Sequence, residues 1–71
     1  MSVWPSSKAR KVFSAIERVG WSVKANKGSS HKQLTHPVYG EVTWAFHDGD
    51  EIGPKMLARL AKVYRFKRED L

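Results

Sequence analysis

The sequence predicts an α+β sandwich in the order α-β-β-β-α, a three-stranded antiparallel sheet with two helices packed on one face. Three observations carry this. Apolar residues recur at helical spacing near both ends of the chain, they alternate at spacing two in the middle, and short Gly- or Pro-containing turns separate the segments. With 71 residues and no cysteine, there is room for one small core and no disulfide or thiolate zinc site to support it. The chain therefore reads as a single domain over residues 1–71.

The first helix is expected at about residues 7 to 19, capped by Ser6 or Ser7, because Ala9, Val12, Phe13, Ile16 and Val19 form one apolar stripe. Lys8, Arg10, Lys11, Glu17 and Arg18 fall mostly on the opposite side, and Gly20 closes the helix in the left-handed conformation. Trp4 is expected to fold back on the core. From Trp21 the period becomes two, with Trp21, Val23 and Ala25 alternating against Ser22, Lys24 and Asn26. Asn26-Lys27-Gly28-Ser29 is turn chemistry and leads into a second strand from about Ser30 to His36. Leu34 is the one large apolar residue there, so its set faces the core while His31, Gln33 and Thr35 face water.

A third strand is expected over Glu41 to His47, with Val42, Trp44 and Phe46 inward. The open sheet face then collects Ser22, Lys24, His31, Gln33, Thr35, Thr43 and His47. Asp48-Gly49-Asp50-Glu51 is an acidic loop. Pro54 suits the first turn of a second helix running to about Tyr64, whose Leu57, Leu60, Ala61 and Tyr64 form a stripe flanked by Met56 and Val63. Arg65 to Leu71 is a charged tail from which Phe66 can dock. Double-stranded-RNA-binding domains share this order of elements.

Charge narrows the partner. The net charge is +6, and residues 1–35 carry seven Lys/Arg against Glu17 alone, whereas residues 36–71 carry six charges of each sign. A one-sided positive field favours a polyanion, either nucleic acid or an acidic protein surface. No apolar run approaches the roughly 20 residues a membrane-spanning helix needs, and the start lacks a secretory apolar segment. A soluble, cytoplasmic protein without membrane association is the expectation.

Chemistry concentrates in Lys27-Gly28-Ser29-Ser30-His31-Lys32-Gln33-Leu34-Thr35-His36-Pro37, which places a glycine turn, two hydroxyls, two lysines and two histidines in one stretch. Read plainly, His31 is a surface histidine beside a turn and His36 caps a strand end. Trp21, Trp44, Phe13 and Phe46 have the periodicity of core residues rather than base-stacking ones. His31, His36 and His47 stand at i, i+5 and i+16, and strand alternation puts the first two on opposite faces, so no metal site is expected. Nothing marks an activated serine or an orienting carboxylate, so a Ser-His-Asp triad is unsupported. No cofactor is expected.

Several landmarks in order resemble the HicA family of toxin mRNA interferases: Gly28-Ser29-Ser30-His31 after a Trp-containing strand, His36-Pro37, the Val42-Thr43 strand ending at His47, and Glu51-Ile52 ahead of a Leu-rich last helix. The resemblance covers about residues 8 to 64. It implies a fold like the double-stranded-RNA-binding domain, a ribonuclease that stops translation, and neutralisation by a HicB-type antitoxin encoded alongside. By position, the family's essential histidine is His31.

The expected chemistry follows from RNA itself. RNA carries its own nucleophile, the 2′-hydroxyl, so cleavage needs a base, cations for the phosphorane and an acid for the leaving 5′-oxygen. A histidine, titrating near about pH 6.5, can serve as base or acid. His31 is the expected catalytic residue on mRNA. Lys24, Lys27 and Lys32, with the backbone amides of Gly28, Ser29 and Ser30, are expected to bind the RNA. The competing readings are a non-catalytic RNA-binding module of the same fold and a protein-interaction domain whose basic face docks an acidic partner.

Overall fold

The computed structural model describes residues 4–26, 28 and 31–71. Its elements are β1 (Ser7–Lys8), α1 (Ala9–Arg18), β2 (Ser22–Asn26), β3 (Lys32–His36), β4 (Gly40–Trp44), β5 (Glu51–Ile52), α2 (Pro54–Tyr64) and a final 3-10 turn at Arg68–Asp70. β2, β3 and β4 form an antiparallel meander, and β1 pairs separately with β5. The architecture is the expected α-β-β-β-α order with a small added clamp.

That clamp explains why the first helix starts later than its apolar spacing suggests. Ser7 and Lys8 are extended and pair with Ile52 and Glu51, so neither Ser6 nor Ser7 caps the helix. The first amides of α1 find carbonyls of the acidic loop instead, Ala9 N–H donating to Asp50 at 2.8 Å and Arg10 N–H to Asp48 at 3.2 Å. Backbone carbonyls thereby satisfy donors that a side chain would otherwise cap.

The other end of α1 closes as expected. Gly20 has φ +109°, its N–H donates to Glu17 and the Trp21 N–H donates to Ile16, the pair of bonds of a Schellman motif. Trp21 and Ile16, which that motif brings together, both lie in the core.

The β3–β4 register pairs Lys32 with Trp44, Gln33 with Thr43, Leu34 with Val42 and Thr35 with Glu41. Leu34 and Trp44 therefore share a face, and both are buried with Ala9, Val12, Ala15 and Ile16 of α1 and Leu57, Leu60 and Tyr64 of α2. Both helices thus cover one side of the sheet. The Trp21 indole N–H, buried in this layer, donates to the Tyr64 carbonyl at 2.7 Å, which removes the cost of an unpaired donor. Trp4 meets Phe66 edge-on at 5.7 Å, and Phe66 is buried, so both ends of the chain close over the core.

Two strand expectations need correction. β2 carries a register shift between Val23 and Ala25, so Val23 lies opposite Leu34 while Ala25 lies opposite Gln33. The strict Trp21, Val23, Ala25 alternation fails because the extra residue of a bulge reverses the parity after it. β4 ends at Trp44, and Ala45, Phe46 and His47 leave the ladder to reach the turn before β5. Phe46 still packs on Trp44, with centroids 5.0 Å apart.

Candidate functional site

β3 carries one histidine at each end, and alternation sends them in different directions. His31 precedes the strand by one residue and is exposed. Among the described residues, no hydrogen bond or ion pair engages its ring. Gly28, at the tip of the hairpin, has φ +113° with nothing within 4 Å of where a Cβ would stand, as the expected glycine turn requires. Lys27, Ser29 and Ser30, also expected at the site, lie outside the described residues.

His31 stands in the odd-numbered register of Gln33 and Thr35, whose partners on β4 are Thr43 and Glu41. A polar chain crosses this open face. Thr43 Oγ1 donates to Gln33 Oε1 at 2.9 Å, Gln33 Nε2 donates to Glu41 Oε1 at 3.2 Å, and Lys24 Nζ meets Glu41 Oε2 at 2.6 Å. The Lys24 cation therefore already has a counter-charge. Both partners are half-exposed, so the pair adds little to stability, but it makes this face less basic than the sequence suggests.

Lys32 goes to the opposite side. It faces Trp44 across the ladder, and its ammonium sits 5.1 Å from the centroid of Phe13 on α1, a cation–π contact. The structure thus separates Lys24 from Lys32, placing one on each face near the hairpin. His47, expected on the open face, is in the turn after β4: its N–H donates to Asp50 Oδ2 at 2.9 Å and its carbonyl accepts from Asp50 N–H at 3.0 Å.

His36 is fully engaged, as a strand-end residue. Its Nδ1 accepts from the N–H groups of Val38 (3.0 Å) and Tyr39 (3.3 Å). Two donors at Nδ1 leave Nε2 to carry the proton, and Nε2 lies 3.0 Å from the Val19 carbonyl, which accepts it. The ring therefore ties the β3–β4 turn to the end of α1. Beneath it, Trp21 packs on Tyr64 at 5.1 Å, where burial pushes the Tyr64 phenol up from 10.0 to about 12.

A cleft of about 290 Å³ is lined by Lys8, Arg10, Asp48 and Gly49, at the start of α1 rather than at His31. Its charges are partly spent, since Lys8 Nζ contacts Glu51 and the Gly49 carbonyl, each at 3.4 Å. Among the described residues no group of three or more His, Cys, Asp or Glu is arranged to hold a metal, and no helix is long and apolar enough to cross a membrane.

Two residues of consequence were not singled out from the sequence. Glu41 shares the odd register of Thr43, so alternation alone put it on the open face, opposite Thr35 of β3. Tyr39 carried no such signal, because it belongs to a turn.

Fold and site define a small basic α+β domain with an exposed histidine at the mouth of a glycine hairpin. The family model for the HicA toxin of bacterial toxin–antitoxin systems matches residues 9–64, most of the chain, and the protein belongs to that family. It is accordingly the toxin component of such a system, which implies an antitoxin as its partner. No curated protein and no solved structure matches the chain.

Proposed function

We propose that this toxin is a metal-independent endoribonuclease that cuts mRNA and thereby inhibits translation, with His31 as the general acid/base. The observation that carries the proposal is His31 itself: an exposed imidazole, beside a positive-φ glycine turn and unengaged among the described residues, in a member of the HicA toxin family. An imidazole free on both nitrogens can take the 2′-hydroxyl proton and return one to the 5′-oxygen, leaving a 2′,3′-cyclic phosphate. Lys27 and the amides of Gly28, Ser29 and Ser30 hold the scissile phosphate and stabilise the charge that builds on it, while Lys32, turned toward Phe13, meets RNA only where it passes the other side of the hairpin. Lys24 adds a weaker contact, because RNA must compete with Glu41 for it. A HicB-type antitoxin neutralises the enzyme.

The test is cleavage of labelled single-stranded RNA in the presence of a chelator. Cleavage to a cyclic phosphate that disappears in a folded His31→Ala variant supports the proposal. RNA binding without cleavage by the wild type replaces it with the non-catalytic RNA-binding module, and neither binding nor cleavage leaves a protein-interaction domain.

A further inference from the structure

The far end of β3 from His31 holds a second constellation to which the toxin chemistry assigns no role. Tyr39, in the turn that His36 fixes, is 47% exposed. Its ring lies 4.5 Å from that of His36 and nearly parallel to Trp21, at 6.5 Å and 24°. The Arg65 guanidinium lies 4.7 Å from the Tyr39 centroid. Arg65 is exposed, and among the described residues no carboxylate pairs with it. A planar cation is therefore held against a supported aromatic ring with its hydrogen-bonding edge unused.

The backbone of Arg65 makes this placement notable. It adopts φ 66° and ψ 35° at the end of α2, the only non-glycine residue with positive φ among those described. Glycine would fill that position with less strain, so the arginine side chain is present at a cost to the fold. Strain of this kind motivates a search for function, and the side chain's contacts supply the chemistry.

We propose that the Arg65–Tyr39 pair is a second RNA-binding site, taking an unpaired base stacked on the guanidinium plane and the adjoining phosphate on its edge. This rests on the proposal that the substrate is RNA. Single-stranded RNA is the chemistry that uses both features, since its bases stack on aromatic rings and guanidinium planes and its phosphates accept forked N–H donors. An acidic peptide would use the charge and leave the plane idle. From His31 to His36 the chain advances roughly 17 Å at strand geometry, and the two sites face different sides of the sheet, so one strand of RNA engages both by passing around the sheet. The far site adds affinity and helps hold the substrate while His31 acts.

The experiment uses the full chain carrying His31→Ala, so that RNA is bound and not cut, and follows fluorescence anisotropy of a labelled single-stranded RNA. Adding Arg65→Gly is expected to weaken binding about tenfold and to lower the salt slope by about 0.7, while the melting temperature holds or rises because glycine suits φ 66°. Arg65→Lys keeps the charge and loses the plane, so it is expected to weaken binding with the slope unchanged. Equal RNA affinity in parent and Arg65→Gly overturns the inference. So does unchanged RNA affinity combined with lost affinity for poly-glutamate, which would reassign the site to an acidic polypeptide. If the His31→Ala parent itself binds no RNA, the endoribonuclease proposal fails first and this inference with it.

Discussion

His31 and His36 are five residues apart on the same strand segment, yet one is exposed and unengaged among the described residues while the other is held by three backbone groups. The difference follows from strand parity. His36 shares the register of Leu34 and is drawn toward Trp21 and the end of α1, whereas His31 shares that of Gln33 and is left to solvent. A histidine that makes three hydrogen bonds within the protein has no lone pair or proton to spare for a substrate. One that makes none among the described residues keeps both, so the two ends of β3 divide into an open end and a structural end.

The largest effect expected from breaking this contrast is at His31. His31→Ala should lower RNA cleavage by roughly a hundredfold or more and change stability by less than about 0.5 kcal/mol, measured by turnover and urea unfolding of the same preparation. A variant that loses activity only because it unfolds would erase the distinction between the two ends. At the structural end, Gly20→Ala should cost about 3 kcal/mol. Its φ of +109° strains any side chain, and the added Cβ would lie 2.8 Å from His36 Nε2, displacing the ring from the Val19 carbonyl. His36→Ala alone should cost about 1–2 kcal/mol, because the Val38 and Tyr39 amides regain water when the acceptor goes. At saturating RNA, cleavage by whatever fraction of either variant remains folded should stay near wild type.

Tyr64 tests the floor of the structural end by pH. Its folded pKa of about 12 lies above the ordinary value of 10.0, so the folded state holds the phenolic proton more tightly than the unfolded state. The associated stability is fully present below pH 10 and is lost as pH rises toward 12, by on the order of 2 kcal/mol. Unfolding titrations should show Tyr64→Phe lacking that part of the alkaline decline; an identical slope in both proteins would contradict the burial argument. The smallest effect is expected on the open face near His31. Lys24→Ala should change stability by less than about 0.5 kcal/mol, and Glu41→Gln should tighten RNA binding in low salt by releasing Lys24. Tighter binding by Glu41→Gln alone, absent when combined with Lys24→Ala, would sharpen the assignment of Lys24 as a masked contact.

Much of this was legible in the order of residues. α2 begins at Pro54 and ends at Tyr64 where its apolar stripe does, and Gly20 closes α1 where a glycine follows the last apolar position. These features depend on local periodicity and backbone freedom, which a sequence states directly. The opposite registers of His31 and His36 followed from alternation around one anchor, Leu34. Neighbours distant in sequence set the remainder. Ser7 gave up capping because β5 offered it a ladder. Ala25 changed sides because β2 bulges where its partner strand does not. His47 left the sheet with the chain that turns toward β5, and Lys24 of β2 met Glu41 of β4 because the meander sets both strands beside β3, bringing a sequence separation of seventeen down to an ion-pair distance.

The sequence by itself therefore determined the order of elements and the sides of β3, since each is written in spacing along a single segment. Only the tertiary structure decided which cations are already paired, as Lys24 is with Glu41, and that Tyr39 would support Arg65. Those outcomes depend on which segments come to lie side by side, and the energy that selects them comes from contacts formed only when the whole core closes.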